Sequence, residues 1–152
     1  ATAWSNDNGD TWSKVTLLDV PNNNSGTDAV TLQDGRHVLI YNNFSTLPGT
    51  PKGPRTPLCV AISEDGINWQ PVLTLEDSPI SQYSYPSIIQ GKDGRLHAVY
   101  TWRRQRVKYA EKIYQNFDKN FPYIKRSGCA ENKSGTSAHF FFSEVFVMIP
   151  SS

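Results

Sequence analysis

Two short stretches of this chain carry the same turn chemistry. Ser5-Asn-Asp7-Asn-Gly9-Asp-Thr11-Trp12 and Ser63-Glu-Asp65-Gly66-Ile-Asn-Trp69 both run serine, aspartate, glycine, tryptophan, and Ser5 and Ser63 lie 58 positions apart. Ser and Asp side chains accept hydrogen bonds from nearby backbone N–H groups, Gly supplies positive φ, and an indole laid over the turn shields those bonds. The second features repeat as well. Asp34-Gly35-Arg36 and Asp93-Gly94-Arg95 are 59 positions apart, and apolar, β-branched runs flank both. A unit of about four short strands joined by tight turns cannot bury its own faces, so it must stack on copies of itself. The expected fold is all-β, with repeat units related as the blades of a β-propeller.

The remaining segments follow from the same alternation. Leu58 to Ile62 enters the second turn, and Val72 to Leu75 returns from it. Val15 to Val20 is the equivalent returning strand of the first turn. Ala29 to Asn42 reads as a hairpin on the two-residue turn Asp34-Gly35; Tyr85 to Ile89 with Leu96 to Trp102 is its counterpart on Asp93-Gly94, and Arg103 to Tyr109 is the last strand. Ser45 to Pro57 is rich in proline and glycine and must be irregular; it delivers Arg55 to the next strand. Beyond about Lys112 no unit signature remains, so the chain divides into repeat units over 1–112 and an atypical tail over 113–152, which reads either as non-native or poorly ordered or, in its apolar run from Phe140 to Ile149, as a strand that closes the ring.

The pattern Ser-x-Asp-x-Gly-x-Thr-Trp, complete at Ser5 to Trp12 and one residue shorter at Ser63 to Trp69, resembles the Asp-box of the sialidase (neuraminidase) superfamily, a six-bladed propeller. The runs Asn24-Ser-Gly-Thr-Asp28-Ala-Val-Thr-Leu and Ser84-Tyr-Pro-Ser-Ile-Ile extend the resemblance to about residue 112. It implies that a chain of 152 residues holds only about two to two and a half blades. The chain therefore reads as the C-terminal part of a longer protein or as an incomplete gene product.

The resemblance also implies a site. Sialidase-type chemistry needs a planar guanidinium to grip the substrate carboxylate, and a tyrosine nucleophile whose phenol, of pKa ~10, gives its proton to a carboxylate. Arg55, eight residues before Ser63, and Tyr85, eight before Asp93, stand where the pattern has one clamp arginine and the tyrosine. Tyr83 is the near alternative, since residues two apart on a strand share a face. The preceding unit departs from the pattern: Gly26 and Asn42 occupy the places of a glutamate and a second arginine. Asp28 is the nearby carboxylate to substitute for the glutamate. Trp102, with Arg103, Arg104 and Tyr100, either lines the carbohydrate end or packs the last strand. Asp7 and Asp65 belong to the turns and not to the chemistry.

The implied activity of the intact protein is that of a sialidase-like exo-glycosidase acting on an acidic sugar of a glycan, this chain alone being inactive. The alternatives are a non-catalytic carbohydrate- or protein-binding propeller, or a uronate lyase on the same scaffold. No cofactor is expected, and the histidines show no metal-ligand spacing. A net charge of +1 and the lack of an interleaved basic run argue against nucleic acid as a partner. No apolar stretch approaches the ~20 residues of a membrane span. The sequons at Asn23, Asn43 and Asn132 lean toward the secretory route. Cys59 and Cys129 form no motif.

Overall fold

The computed structural model describes residues 1–46, 48–79 and 82–111, together with the backbone of Phe146–Met148. The described residues are all-β. β1 (Thr2–Trp4) leads into the first Asp-box turn. β2 (Asp28–Thr31), β3 (His37–Asn42), β4 (Leu58–Ser63) and β5 (Gln70–Glu76) form a four-stranded antiparallel sheet in chain order. β6 (Tyr83–Gln90), β7 (Leu96–Trp102) and β8 (Arg106–Glu111) form a three-stranded antiparallel sheet. β9 (Phe146–Met148) pairs in parallel with β1. The tail expected over 113–152 otherwise lies outside the described residues, as does Cys129.

Both boxes fold as their residues dictate. Ser5 Oγ donates to Asp7 Oδ1 (2.8 Å) and accepts from Gly9 N (2.7 Å), while Asp7 accepts from Thr11 N (2.9 Å) and the Thr11 hydroxyl. In the second box Asp65 Oδ1 accepts from Ile67 N (2.8 Å) and Asn68 N (2.7 Å), and Oδ2 from Asn68 Nδ2 (2.7 Å). Each indole closes its turn, Trp12 Nε1 on Gly9 O (3.0 Å) and Trp69 Nε1 on Gly66 O (3.1 Å). Gly66 stands at φ +70, and a Cβ there would collide with the Trp4 ring, so the indole that ends β1 lies directly on the second box.

Three expectations are corrected. The hairpin loops are Gln33-Asp34-Gly35 and Lys92-Asp93-Gly94, not two-residue turns. Gly35 N donates to Leu32 O and Leu32 N to Arg36 O, with only the glycine at positive φ. This is a type I turn followed by a left-handed glycine; Asp34 keeps the negative φ that a type I turn requires, and its carboxylate accepts from Arg36 N (3.1 Å). The strand expected over Val15 to Val20 reduces to one bridge, Thr2 with Thr16, because β1 offers so short a ladder. The last strand begins at Arg106, since Trp102 to Gln105 is a tight turn closed by Gln105 N on Trp102 O (3.0 Å).

Side chains alternate across β3 and β4. Val38, Ile40, Leu58 and Val60 face β6–β8 and form the main core with Ile88, Leu96, Ala98, Tyr83 and Tyr100. Leu39, Tyr41, Cys59 and Ala61 face the opposite way and pack with Val20 and Trp69. Burying each Val, Leu or Ile contributes about 1.5–3 kcal/mol, so the interface between the two sheets is the chief apolar source of stability. Hydrogen bonds across the junction help to fix their relative position. Asp28 Oδ2 accepts from Ile88 N (2.8 Å), and Gln90 Oε1 accepts from Gln33 N (2.8 Å).

Candidate functional site

The strand registers separate two ends of the molecule. Both box turns and both Asp-Gly hairpins lie at one end. At the other, β3 and β5 finish, β2, β4 and β6 start, and the β7–β8 turn stands beside the start of β6, with Tyr83 opposite Trp102. This second end holds every residue that the sequence singled out for chemistry.

The loop from Asn43 to Pro57 reaches this end and is tied down by a buried polar network. Asn23 Nδ2 donates to Pro54 O (2.7 Å), Gly53 N to Asn23 O (3.0 Å), and Asn24 Nδ2 to Pro51 O (2.8 Å). Asn42, fully buried, donates to Tyr83 O (3.1 Å) and Pro57 O (3.3 Å), and its Oδ1 lies 2.8 Å from Ser25 Oγ. Asn42 thus joins the end of β3 to the start of β6 and to the loop carrying Arg55. An arginine would not fit that enclosed position. The Asn23 sequon is also accounted for: its side-chain amide is buried and hydrogen-bonded, so it offers no acceptor nitrogen to a glycosylating enzyme in the folded chain.

Arg55 and Tyr85 come together. The Arg55 guanidinium carbon lies 5.2 Å from the Tyr85 ring centroid, within cation–π range, and Arg55 O accepts from Tyr83 N (2.9 Å). Tyr85 is 68% exposed and stands at φ 51, in the irregularity of β6 between Ser84 and Ser87. Left-handed backbone costs a non-glycine residue about 1–2 kcal/mol. That irregularity separates the two tyrosines: Tyr83 is 1% exposed inside the main core, while Tyr85 points out. The shared face expected from alternation is lost because alternation holds only where the strand is regular. Asp28 sits across the sheet junction. Its Oδ1 accepts from Ala29 N (3.0 Å) and its Oδ2 from Ile88 N, which leaves about half of a carboxylate's acceptor positions open.

Trp102 is held by charges. Arg103 and Arg106 lie over its ring at 4.5 and 4.3 Å from the centroid. Its indole also donates to Glu76, whose carboxylate accepts from Tyr100 OH (2.8 Å) and from Lys108 Nζ. Burial alone would raise the Glu76 carboxyl, but the Lys108 and Tyr100 hydrogen bonds and the Lys108 charge outweigh it and hold it below the usual range. Burial, then Glu76, pushes the Tyr100 phenol up. Tyr100 is therefore a buried donor to Glu76 and lines no surface.

Sequence reasoning missed Glu76, which reads as the first residue of an acidic loop, and the structural use of Asn42. It also missed the Arg103-Arg104 turn, where both residues have positive φ (53 and 55), because a pair of arginines is no turn signature. Among the described residues no group of three or more His, Cys, Asp or Glu is placed to hold a metal ion.

An all-β chain of repeated units, each with an Asp-box turn and an Asp-Gly hairpin, is a repeat protein of the sialidase-like kind. A family model described as a BNR repeat-like domain matches residues 1–98, and the chain belongs to that family, whose repeat is found in sialidase-like and other glycosidase proteins. No curated protein and no solved structure matches the chain.

Proposed function

We propose that the two sheets are successive blades of a β-propeller and that the intact protein is a sialidase-like exo-glycosidase acting on an acidic sugar. The repeat supports the first statement. Leu39 and Tyr41 correspond to Ala98 and Tyr100 at a spacing of 59, and each pair faces the preceding unit. Val38 and Ile40 are covered by the next sheet, whereas their counterparts His97 and Val99 lie on an open face. A stack of this kind continues until it closes on itself.

The observation that carries the chemical reading is Arg55 stacked on an exposed, left-handed Tyr85. A guanidinium lying on a ring keeps its in-plane N–H groups for a bidentate carboxylate. In this reading Arg55 binds the acid group of the sugar and Tyr85 attacks the anomeric carbon. Asp28, across the junction, takes the phenol proton or a substrate hydroxyl. In the full-length protein assayed on aryl glycosides of acidic sugars, Tyr85→Phe should abolish turnover and leave binding of the free acid sugar nearly intact. Arg55→Ala should weaken that binding at least tenfold. Unchanged activity in both variants removes the catalytic assignment. A specific observation favours a second reading, a carbohydrate-binding propeller without turnover: the place of the second clamp arginine is taken by Asn42, which is buried in structural hydrogen bonds.

A further inference from the structure

The six described arginines divide by end of the molecule. Arg36 and Arg95, on the Asp-Gly hairpins, are ion-paired with Asp34 and with Asp93 and Glu111. Arg55, Arg103, Arg104 and Arg106, at the Tyr85 end, make no ion pair among the described residues. Arg103 and Arg104 lie in the β7–β8 turn and Arg106 opens β8; Arg104 and Arg106 are exposed, Arg103 is half-buried, and Arg103 and Arg106 are held on one ring. Glu76, fixed by Tyr100 and Lys108, anchors the Trp102 indole, and Trp102 in turn carries Arg103 and Arg106 on its ring. Arg103 Nη2 donates to Ser78 Oγ (3.1 Å), while its Nε is buried without a partner. Arg103 and Arg104 both occupy left-handed backbone, which an Asn-Gly pair would adopt without strain. Strain of this kind clusters at functional sites.

The turn is continuous with Arg55. Thr56 Oγ1 donates to Ser78 O (3.0 Å), Arg103 N to Gln82 O (2.9 Å), and Tyr83 N to Arg55 O, so one hydrogen-bonded rim runs from Arg55 to Arg103. We infer that the Trp102–Arg106 turn is a second anion subsite. The ligand is then an acidic oligosaccharide with charged groups on more than one sugar, not a glycan with a single charged end. This rests on reading the Arg55/Tyr85 end as an acid-sugar site. The subsite recognises an anionic oxygen group, carboxylate or sulfate.

The test is calorimetric titration of the 152-residue chain with galacturonate monomer to tetramer, and with a sulfated neutral tetrasaccharide as the other arm. Affinity should rise at least tenfold from the monomer to one of the tetramers, and the arm showing the rise identifies the group. Arg103→Asn with Arg104→Gly should remove the rise while leaving the melting temperature equal or higher, because Asn-Gly suits both positive φ values. Arg106→Gln, which leaves the turn residues untouched, should weaken the rise as well. No gain from monomer to tetramer in either arm, or a gain that survives in both variants, overturns the subsite. So does equal binding of a single-stranded oligodeoxynucleotide of the same charge, which would mark a general polyanion surface. Arg55→Ala separates the two readings. It should weaken monomer and tetramer alike; monomer binding that ignores Arg55 sinks the acid-sugar site, whatever the turn variants do.

Discussion

Asp7 and Asp65 show how one side chain specifies a whole turn. Hydrogen bonds from the Thr11 hydroxyl and N–H, then from Ser5, hold the Asp7 carboxyl down to about 2. The Asn68 backbone and side chain, then Ile67, depress Asp65 further. A depressed folded-state value means that the ionised form is favoured by folding. The contribution is therefore complete above the ordinary carboxylate value of 3.8 and is lost as pH falls toward the folded value. The midpoint of urea unfolding should accordingly drop between about pH 4 and pH 2. Asp7→Asn and Asp65→Asn should each lower that midpoint at pH 7 and flatten its fall in acid. A fall as steep as in the parent chain would show that other carboxylates control the acid limb.

Among the elements, the junction of β3, β6 and the Arg55 loop depends on Asn42. Asn42→Ala would strip the Tyr83 carbonyl of its Asn42 donor and remove one hydrogen bond each from Asn23, Ser25 and the Pro57 carbonyl, which keep Pro54 O, Asn23 Oδ1 and Asn43 N as partners. Each unsatisfied buried group costs about 1–3 kcal/mol, so a loss of about 2–4 kcal/mol is expected, measured by urea unfolding. Because the loop would also loosen, proteolysis should cut first between Asn43 and Pro54. Stability within about 0.5 kcal/mol of the parent would contradict this account. Asn42→Asp should be nearly as damaging, since the two donor hydrogens are what the carbonyls use.

For the whole molecule, the face of β6–β8 turned away from the core exposes Ile89, Val99, Val107 and Tyr109. Contiguous apolar surface of this kind, beside an edge of β8 left unpaired among the described residues, favours self-association. The 152-residue chain should therefore sediment as mixed species. Val99→Lys with Val107→Lys should shift it toward monomer while moving stability by less than about 1 kcal/mol, as exposed substitutions do. A sharp monomeric boundary for the parent chain would mean that this face is covered in some other way.

The sequence by itself determined the units. Turn chemistry is local: a serine, an aspartate and a glycine within a few positions find one another whatever lies beyond, so both boxes and the positions of the hairpins were legible. It also placed Arg55 and Tyr85 at the same end, because strand direction between known turns fixes which residues begin a strand. Tertiary structure alone decided which of two tyrosines is exposed, since the irregularity at Ser84 to Ser87 breaks the alternation that would have paired them. The same holds for Asn42, whose hydrogen bonds go to carbonyls up to 41 positions away. Glu76 and Trp102 likewise meet only when one sheet packs on the next. A single chain pattern records what neighbours along the backbone do to one another. It carries no mark of a partner that arrives by packing, where burial and hydrogen bonding, not spacing, select the residue.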